Sequence, residues 1–249
     1  YSSVGYNMNQ IKSISTDEYG NEISSLSTYT GDGGLQQVFA GLGYKVFNNL
    51  SIGANFSYFY GEITHSVKTM FNYADAQSSV RADKLEISDY TLDLGLQYTQ
   101  PFGKKHAVNL GLVYSLGHDL NGKGYNYKET YTSGINIPMT QTVDTIQNAF
   151  SLPHSFGIGA TYVYDRRLTV GLDYTLQKWA DAEFFNEKGK FLNRSKISLG
   201  AEYLPKPFSR NYLNRIRYRV GAYYSDPYTK VNDLEGAREY GVSFGFGLP

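Results

Sequence analysis

Apolar and polar residues alternate strictly through several segments of this chain. In LSIGANFSYFY (residues 50–60), Leu50, Ile52, Ala54, Phe56, Tyr58 and Tyr60 share one face, and Ser51, Gly53, Asn55 and Ser57 share the other. This period of two belongs to a β-strand. YTLDLGLQYT (90–99) sets Tyr90, Leu92, Leu94, Leu96 and Tyr98 against Thr91, Asp93, Gly95, Gln97 and Thr99. AVNLGLVYSL (107–116), FGIGATYVY (156–164), LTVGLDYTLQ (168–177), KISLGAEY (196–203), IRYRVGAYYS (216–225) and YGVSFGFGL (240–248) repeat it. Weaker cases at residues 1–9 and 35–46 bring the prediction to about ten strands.

The connections alternate in length. Short turns fall at Phe47-Asn48-Asn49, at residues 102–105 and at Asp165-Arg166, with a longer one carrying Pro205 and Pro207. Long polar loops are predicted at 13–33, 61–86, 117–150, 178–193 and 226–237, all at one end of the strands. Tight turns at one end and long loops at the other predict an all-β, antiparallel up-and-down transmembrane β-barrel, one domain over residues 1–249. A strand of about 10 residues, rising about 3.3 Å each and tilted by about 40°, covers about 25 Å, the height of the apolar band.

Alternation alone does not say which face meets lipid. The second face carries Gly, Ser, Thr, Asn and Gln and lacks the dense Lys/Glu mixture of a water-soluble surface, which favours a hydrated lumen over a soluble sandwich. Its charges, Asp93, Asp173, Lys196, Glu202, Arg217 and Arg219, form either a substrate path or an ion-pair network that satisfies the interior. Tyr58, Phe59, Tyr60, Tyr162, Tyr164, Tyr223 and Tyr224 cluster near strand ends, where an interfacial girdle would place them; aromatic strand propensity is the plainer account. In the loop at 117–150, Ile135, Ile137, Pro138, Met139, Val143, Ile146 and Phe150 offer apolar surface for a hydrophobic ligand at the barrel mouth, with Met70 and Phe71 completing it; alternatively they pack the loop onto the rim.

Composition narrows the function classes. The 23 basic and 23 acidic residues balance, leaving no electrostatic footprint for nucleic acid. Without Cys there is no disulfide framework and no thiolate zinc site. No apolar run approaches the roughly 20 residues of a membrane-spanning helix. His65, His106, His118 and His154 are scattered without metal-ligand spacing. His118-Asp119 and His154-Ser155 are the local candidates for a hydrolase, weighed against ordinary loop polarity. Neither an enzyme, a metal nor a cofactor is predicted. Residue 1 is Tyr, no signal peptide follows, and residue 249 directly follows an apolar strand, so the chain reads as a piece of a longer one.

LPHSFGIGATYVYDRRLTVGLDYTLQKWADAEF (152–184) resembles the long-chain fatty acid transporter family of outer-membrane proteins. Leu152-Pro153 opening a strand after a long loop, the Phe-Gly-Ile-Gly hairpin, and Asp173 followed by Trp179 carry the likeness. NLSIGANFSYFYGEI (49–63) resembles an earlier hairpin of that family, and the Tyr-rich style resembles its Bacteroidetes members. The resemblance implies a fourteen-stranded barrel in the Gram-negative outer membrane, plugged by an N-terminal hatch, that passes hydrophobic compounds such as fatty acids and releases them laterally. The hatch and the terminal strands are not visible in this sequence. Outer-membrane lipid and lipopolysaccharide are the surroundings it implies. A barrel serving as a type IX secretion partner protein is the alternative the resemblance offers, and a general porin is a further one.

Overall fold

The structure, a computed structural model, describes all residues except 1, 17–19, 21, 74–75, 133–137, 148, 186, 207–208, 232–233 and 249. Four long strands open the chain: β1 (Ser2–Thr16), β2 (Glu22–Phe47), β3 (Leu50–Phe71) and β4 (Gln77–Phe102). There follow β5 (His106–Ser115), β6 (Gly122–Thr132), β7 (Pro138–Gln147), β8 (Ser155–Tyr164), β9 (Leu168–Gln177), β10 (Arg194–Tyr203) and β11 (Arg217–Ser225). A two-residue ladder, β12 (Lys230–Val231) with β13 (Leu234–Glu235), precedes β14 (Glu239–Gly247). The main sheet has 12 strands in the order β1-β2-β3-β4-β5-β8-β9-β10-β11-β14, with β6 pairing β4 and β7 pairing β6.

The chain divides into two compact units, and β2, β3 and β4 contribute to both. One unit takes residues 39–57, 91–118 and 151–249. Its neighbouring strands pair antiparallel, and tight turns close β4–β5 and β8–β9, which require no crossover. At the β8–β9 turn, Asp165 and Arg166 have φ of 50° and 55°. Arg167 N–H donates to the Tyr164 carbonyl at 2.8 Å, completing a type I′ turn whose twist matches its strands. Gly103, at φ 63°, serves the β4–β5 turn. Between β10 and β11 the chain instead takes a turn of 3-10 helix over Tyr212–Arg215. Leu204, directly after β10, and Ile216, directly before β11, are buried.

The other unit takes residues 1–38, 58–90 and 119–150. Here the structure differs from the sequence reading. The segments expected as polar loops at 13–33, 61–86 and 117–150 are largely strand: β2 begins at Glu22, β3 runs on to Phe71, β4 begins at Gln77, and β6 and β7 form a hairpin beside β4. Neither side of these strands carries a continuous apolar stripe, so the period-two signal is absent. Thr, Tyr, Ser and Val still favour extended backbone. The buried residues of this unit include Phe59, Ile87, Leu120 and Ala149. Asp89, also buried, accepts from Tyr90 N–H at 2.7 Å and Asn121 N–H at 2.6 Å, so its carboxyl pins the start of β6 to β4.

Candidate functional site

The two faces of the sheet in the unit holding β5 and β8–β11 are chemically opposite. Register aligns Leu96, Leu112, Ile158, Tyr174, Ile197, Tyr224 and Tyr240 in one row. Nearer the tight turns, Phe102, His106, Tyr164, Leu168, Tyr203, Tyr218 and Phe246 form another. Of the aromatics grouped near strand ends in the sequence, Tyr164 lies in that row, whereas Tyr223 lies on the opposite face. It is the apolar side that is exposed: along β8, Phe156, Ile158, Ala160, Tyr162 and Tyr164 are open, while Ser155, Gly157, Gly159, Thr161 and Val163 are half-buried. A water-soluble sandwich would bury the first set and expose the second.

The opposite face holds mostly small and polar residues. One row runs Thr99, Asn109, Thr161, Gly171, Gly200, Gly221, Ser243, and the next Gln97, Gly111, Gly159, Asp173, Ser198, Tyr223, Gly241. A concavity of about 460 Å³ over these rows is edged by Gln97, Asn109, Thr161 and Asp173. The structure brings together part of the predicted charge set. Glu202 accepts from Arg217 at 2.7 Å and from Arg219 at 2.6 Å, one guanidinium on each carboxylate oxygen. Asp173 instead lies over Gly159, where a β-carbon would sit 2.3 Å from its Oδ1. Lys196 stands 5.0 Å from the Tyr223 ring centroid, and Asp93 edges a separate concavity with Gly41, Gly53 and Asn55. Arg194, not singled out from sequence, donates to Ser225 at 2.8 Å and pairs with Glu239 at 3.2 Å.

The residues predicted at the mouth are dispersed over strands. Met70 and Phe71 end β3, whereas Met139, Val143 and Ile146 lie on β7; Met70, Met139 and Val143 are exposed. Phe150 is half-buried, and its carbonyl accepts from Leu120 N–H at 2.9 Å. Ile135 and Ile137 lie outside the described residues, as does the side chain of Pro138. No group of three or more potential metal ligands is found among the described residues.

Leu152, Pro153 and Trp179 are placed by backbone bonds and ring packing. Leu152 N–H donates to the His118 carbonyl at 2.8 Å. Gly117 presses on the backbone of residues 152–154, where a β-carbon would lie 2.3 Å from the His154 nitrogen. His154 Nδ1, far from acting on Ser155, accepts from the Tyr114 hydroxyl at 2.8 Å and Gly117 N–H at 3.1 Å. Trp179 opens a single 3-10 turn and packs 5.7 Å from Phe191 and 5.3 Å from Tyr228. Phe184 and Phe185 extend the cluster. Leu192 N–H donates to the Tyr228 carbonyl at 2.8 Å, so the segments at 178–193 and 226–237 are joined. Both segments are polar loops by sequence pattern; the aromatic content of FFNEKGKF is the signal for the cluster, and it has no period.

An antiparallel sheet that exposes its apolar face and carries glycine and polar side chains on the other is that of the outer-membrane β-barrel class, although the strand path from β1 to β14 is not closed here. Over 90% of this chain and 76% of the other, the fold matches the crystal structure of the toluene transporter TbuX of Ralstonia pickettii, with a TM-score of 0.53 at 13% identity. The chain belongs to the BamG family, whose model matches residues 1–249. Two RagAB structures, of the peptide importer in its closed-closed state and of the peptide transporter, are more remote. Each is 13% identical and covers 89% of this chain but 26% of its own, with TM-scores of 0.43 and 0.45. No curated protein matches the sequence.

Proposed function

We propose that this chain forms an outer-membrane transport barrel that passes small hydrophobic molecules, long-chain fatty acids among them, without covalent chemistry. The inverted sheet carries this reading: the exposed face of Leu, Ile, Tyr and Phe contacts hydrocarbon, and the glycine and polar rows line the passage. The fold shared with a toluene transporter supports the same class of cargo. Charge on the lining orients a carboxylate-headed or neutral solute without trapping it, because Glu202 already engages Arg217 and Arg219. Met70, Phe71, Met139, Val143, Ile146 and Phe150 are proposed as the first contacts for the ligand, and lateral release into the bilayer as its exit. The test is uptake of radiolabelled oleate and toluene by cells with and without the full-length gene. Uptake falling severalfold on deletion and returning with the gene is expected; unchanged uptake overturns the proposal.

A second reading, a partner protein of a secretion machine, is favoured by one observation. β1 pairs only β2 among the described residues and exposes Met8, Ile11 and Ile14. Exposed apolar side chains of this kind suit a neighbouring protein. Charged substitutions at Met8 and Ile11 that abolish a complex while leaving oleate uptake intact would favour it.

A further inference from the structure

We propose that the exposed apolar face carries a site for one phosphate-headed membrane lipid, its acyl chain in a groove edged by Leu94, Leu112 and Ile158 and its headgroup at Lys178. The proposal rests on the reading above that this face meets the bilayer. An open groove of about 1050 Å³ lies on it, lined by side chains of β2, β3, β4, β5, β8 and β9 that include no charged group. Its floor is low at Ala54, a small side chain among Ile52, Leu94 and Leu96. Dispersion and burial favour an alkyl chain there, the polar side-chain atoms of the lining being the hydroxyls of Tyr44, Tyr114 and Tyr174.

One end of the groove turns polar. Phe156 and Tyr114, which line it, lie 5.1 Å apart, and Tyr114 stacks on His154 at 5.9 Å with their planes 9° apart. Lys178 N–H donates to the His154 carbonyl at 2.9 Å, so the two residues are neighbours across β8 and β9. The Lys178 ammonium stands 6.0 Å from the Phe156 ring centroid. An amide N–H only donates, so the bond from Gly117 obliges His154 Nδ1 to accept and places the proton of the neutral ring on Nε2. A lysine cation and an imidazole N–H therefore sit where the aromatic wall of the groove ends. That arrangement complements an anionic phosphate joined to an acyl chain, and gives a zwitterionic headgroup less.

The full chain in detergent, mixed with equal amounts of phosphatidylglycerol and phosphatidylcholine of identical chains, is examined by native mass spectrometry. One phosphatidylglycerol is expected to bind about fivefold more tightly than phosphatidylcholine. Lys178→Ala should erase that preference, and Ala54→Phe, which fills the groove, should weaken both lipids. Equal binding by the unaltered chain, a preference that survives Lys178→Ala, or insensitivity to Ala54→Phe each overturns the site. Failure of the chain to insert into vesicles of either lipid would instead defeat the underlying membrane reading.

Discussion

Gly33 and Gly61 make room for each other's strands: a β-carbon on Gly33 would lie 2.1 Å from the Glu62 carbonyl oxygen, and one on Gly61 would lie 2.1 Å from the Gly34 carbonyl oxygen. Their φ angles of 117° and 149° fall where side chains are strained. Because the obstructing atoms are backbone, neither strand yields by a rotamer change. Gly33→Ala or Gly61→Ala should each destabilise the β2–β3 pairing by about 1–3 kcal/mol, measured as a lower urea midpoint. The double variant should be less than additive, since both act on one contact.

The β8–β9 turn has room for improvement. Arg166 holds φ at 55°, a conformation glycine adopts freely. Arg166→Gly should raise stability by roughly 1 kcal/mol, and Arg166→Pro, whose ring demands a negative φ, should lower it. The urea midpoints of the two variants should move in opposite directions.

Glu202 joins two arginines, and removing it leaves like charges side by side. With Arg219 half exposed, the coupling should be modest, about 0.5–1 kcal/mol. A double-mutant cycle of Glu202→Gln and Arg219→Gln reads it, and the coupling should weaken in high salt.

Lys84 lies 2.8 Å from both Glu62 and Glu86. All three lie in the polar segment 61–86, beyond the apolar-faced stretches of β3 and β4; donating to Glu62 and then Glu86 holds the Lys84 ammonium above its ordinary range, and Lys84 holds the Glu86 carboxyl below its own. A carboxyl lowered on folding contributes stability above its unfolded pKa and loses it as pH falls through the folded value. A lysine raised on folding contributes fully below its ordinary pKa and loses the effect only as pH rises through the folded value. Amide exchange in the β4–β6 pairing, corrected for intrinsic rates, should therefore quicken below the ordinary carboxylate range. Lys84→Met should flatten that dependence.

Trp179 is the only tryptophan of the chain and reports on its own cluster. Tyr228→Ala removes a ring 5.3 Å away, an aromatic pair of about 0.5–1.5 kcal/mol. The emission of Trp179 should shift to the red, and cleavage within 178–193 should become faster.

Ten strands were legible in the sequence because one of their faces is apolar and the other is not, a contrast that survives projection onto a single chain. The segments Leu50 to Tyr60 and Phe156 to Tyr164 needed no partner to declare themselves, and the sign of the contrast, Gly, Ser and Asn opposite Leu and Tyr, already pointed to a barrel. Only the tertiary structure decided that residues 22–34, 61–71, 77–89 and the hairpin β6–β7 are strands. With no apolar stripe on either side they leave no periodic trace, even where the partner strand is next in the chain, as in β1–β2 and β6–β7. The same holds for the site. Glu202, Arg217 and Arg219 were visible as charges on one face, but their convergence, and the separation of Asp93 and Asp173 from them, depend on strand register, which pairs residues far apart in the chain. Lys178 at the end of an aromatic wall, and Trp179 against Tyr228, arise from loops whose contacts no local pattern encodes.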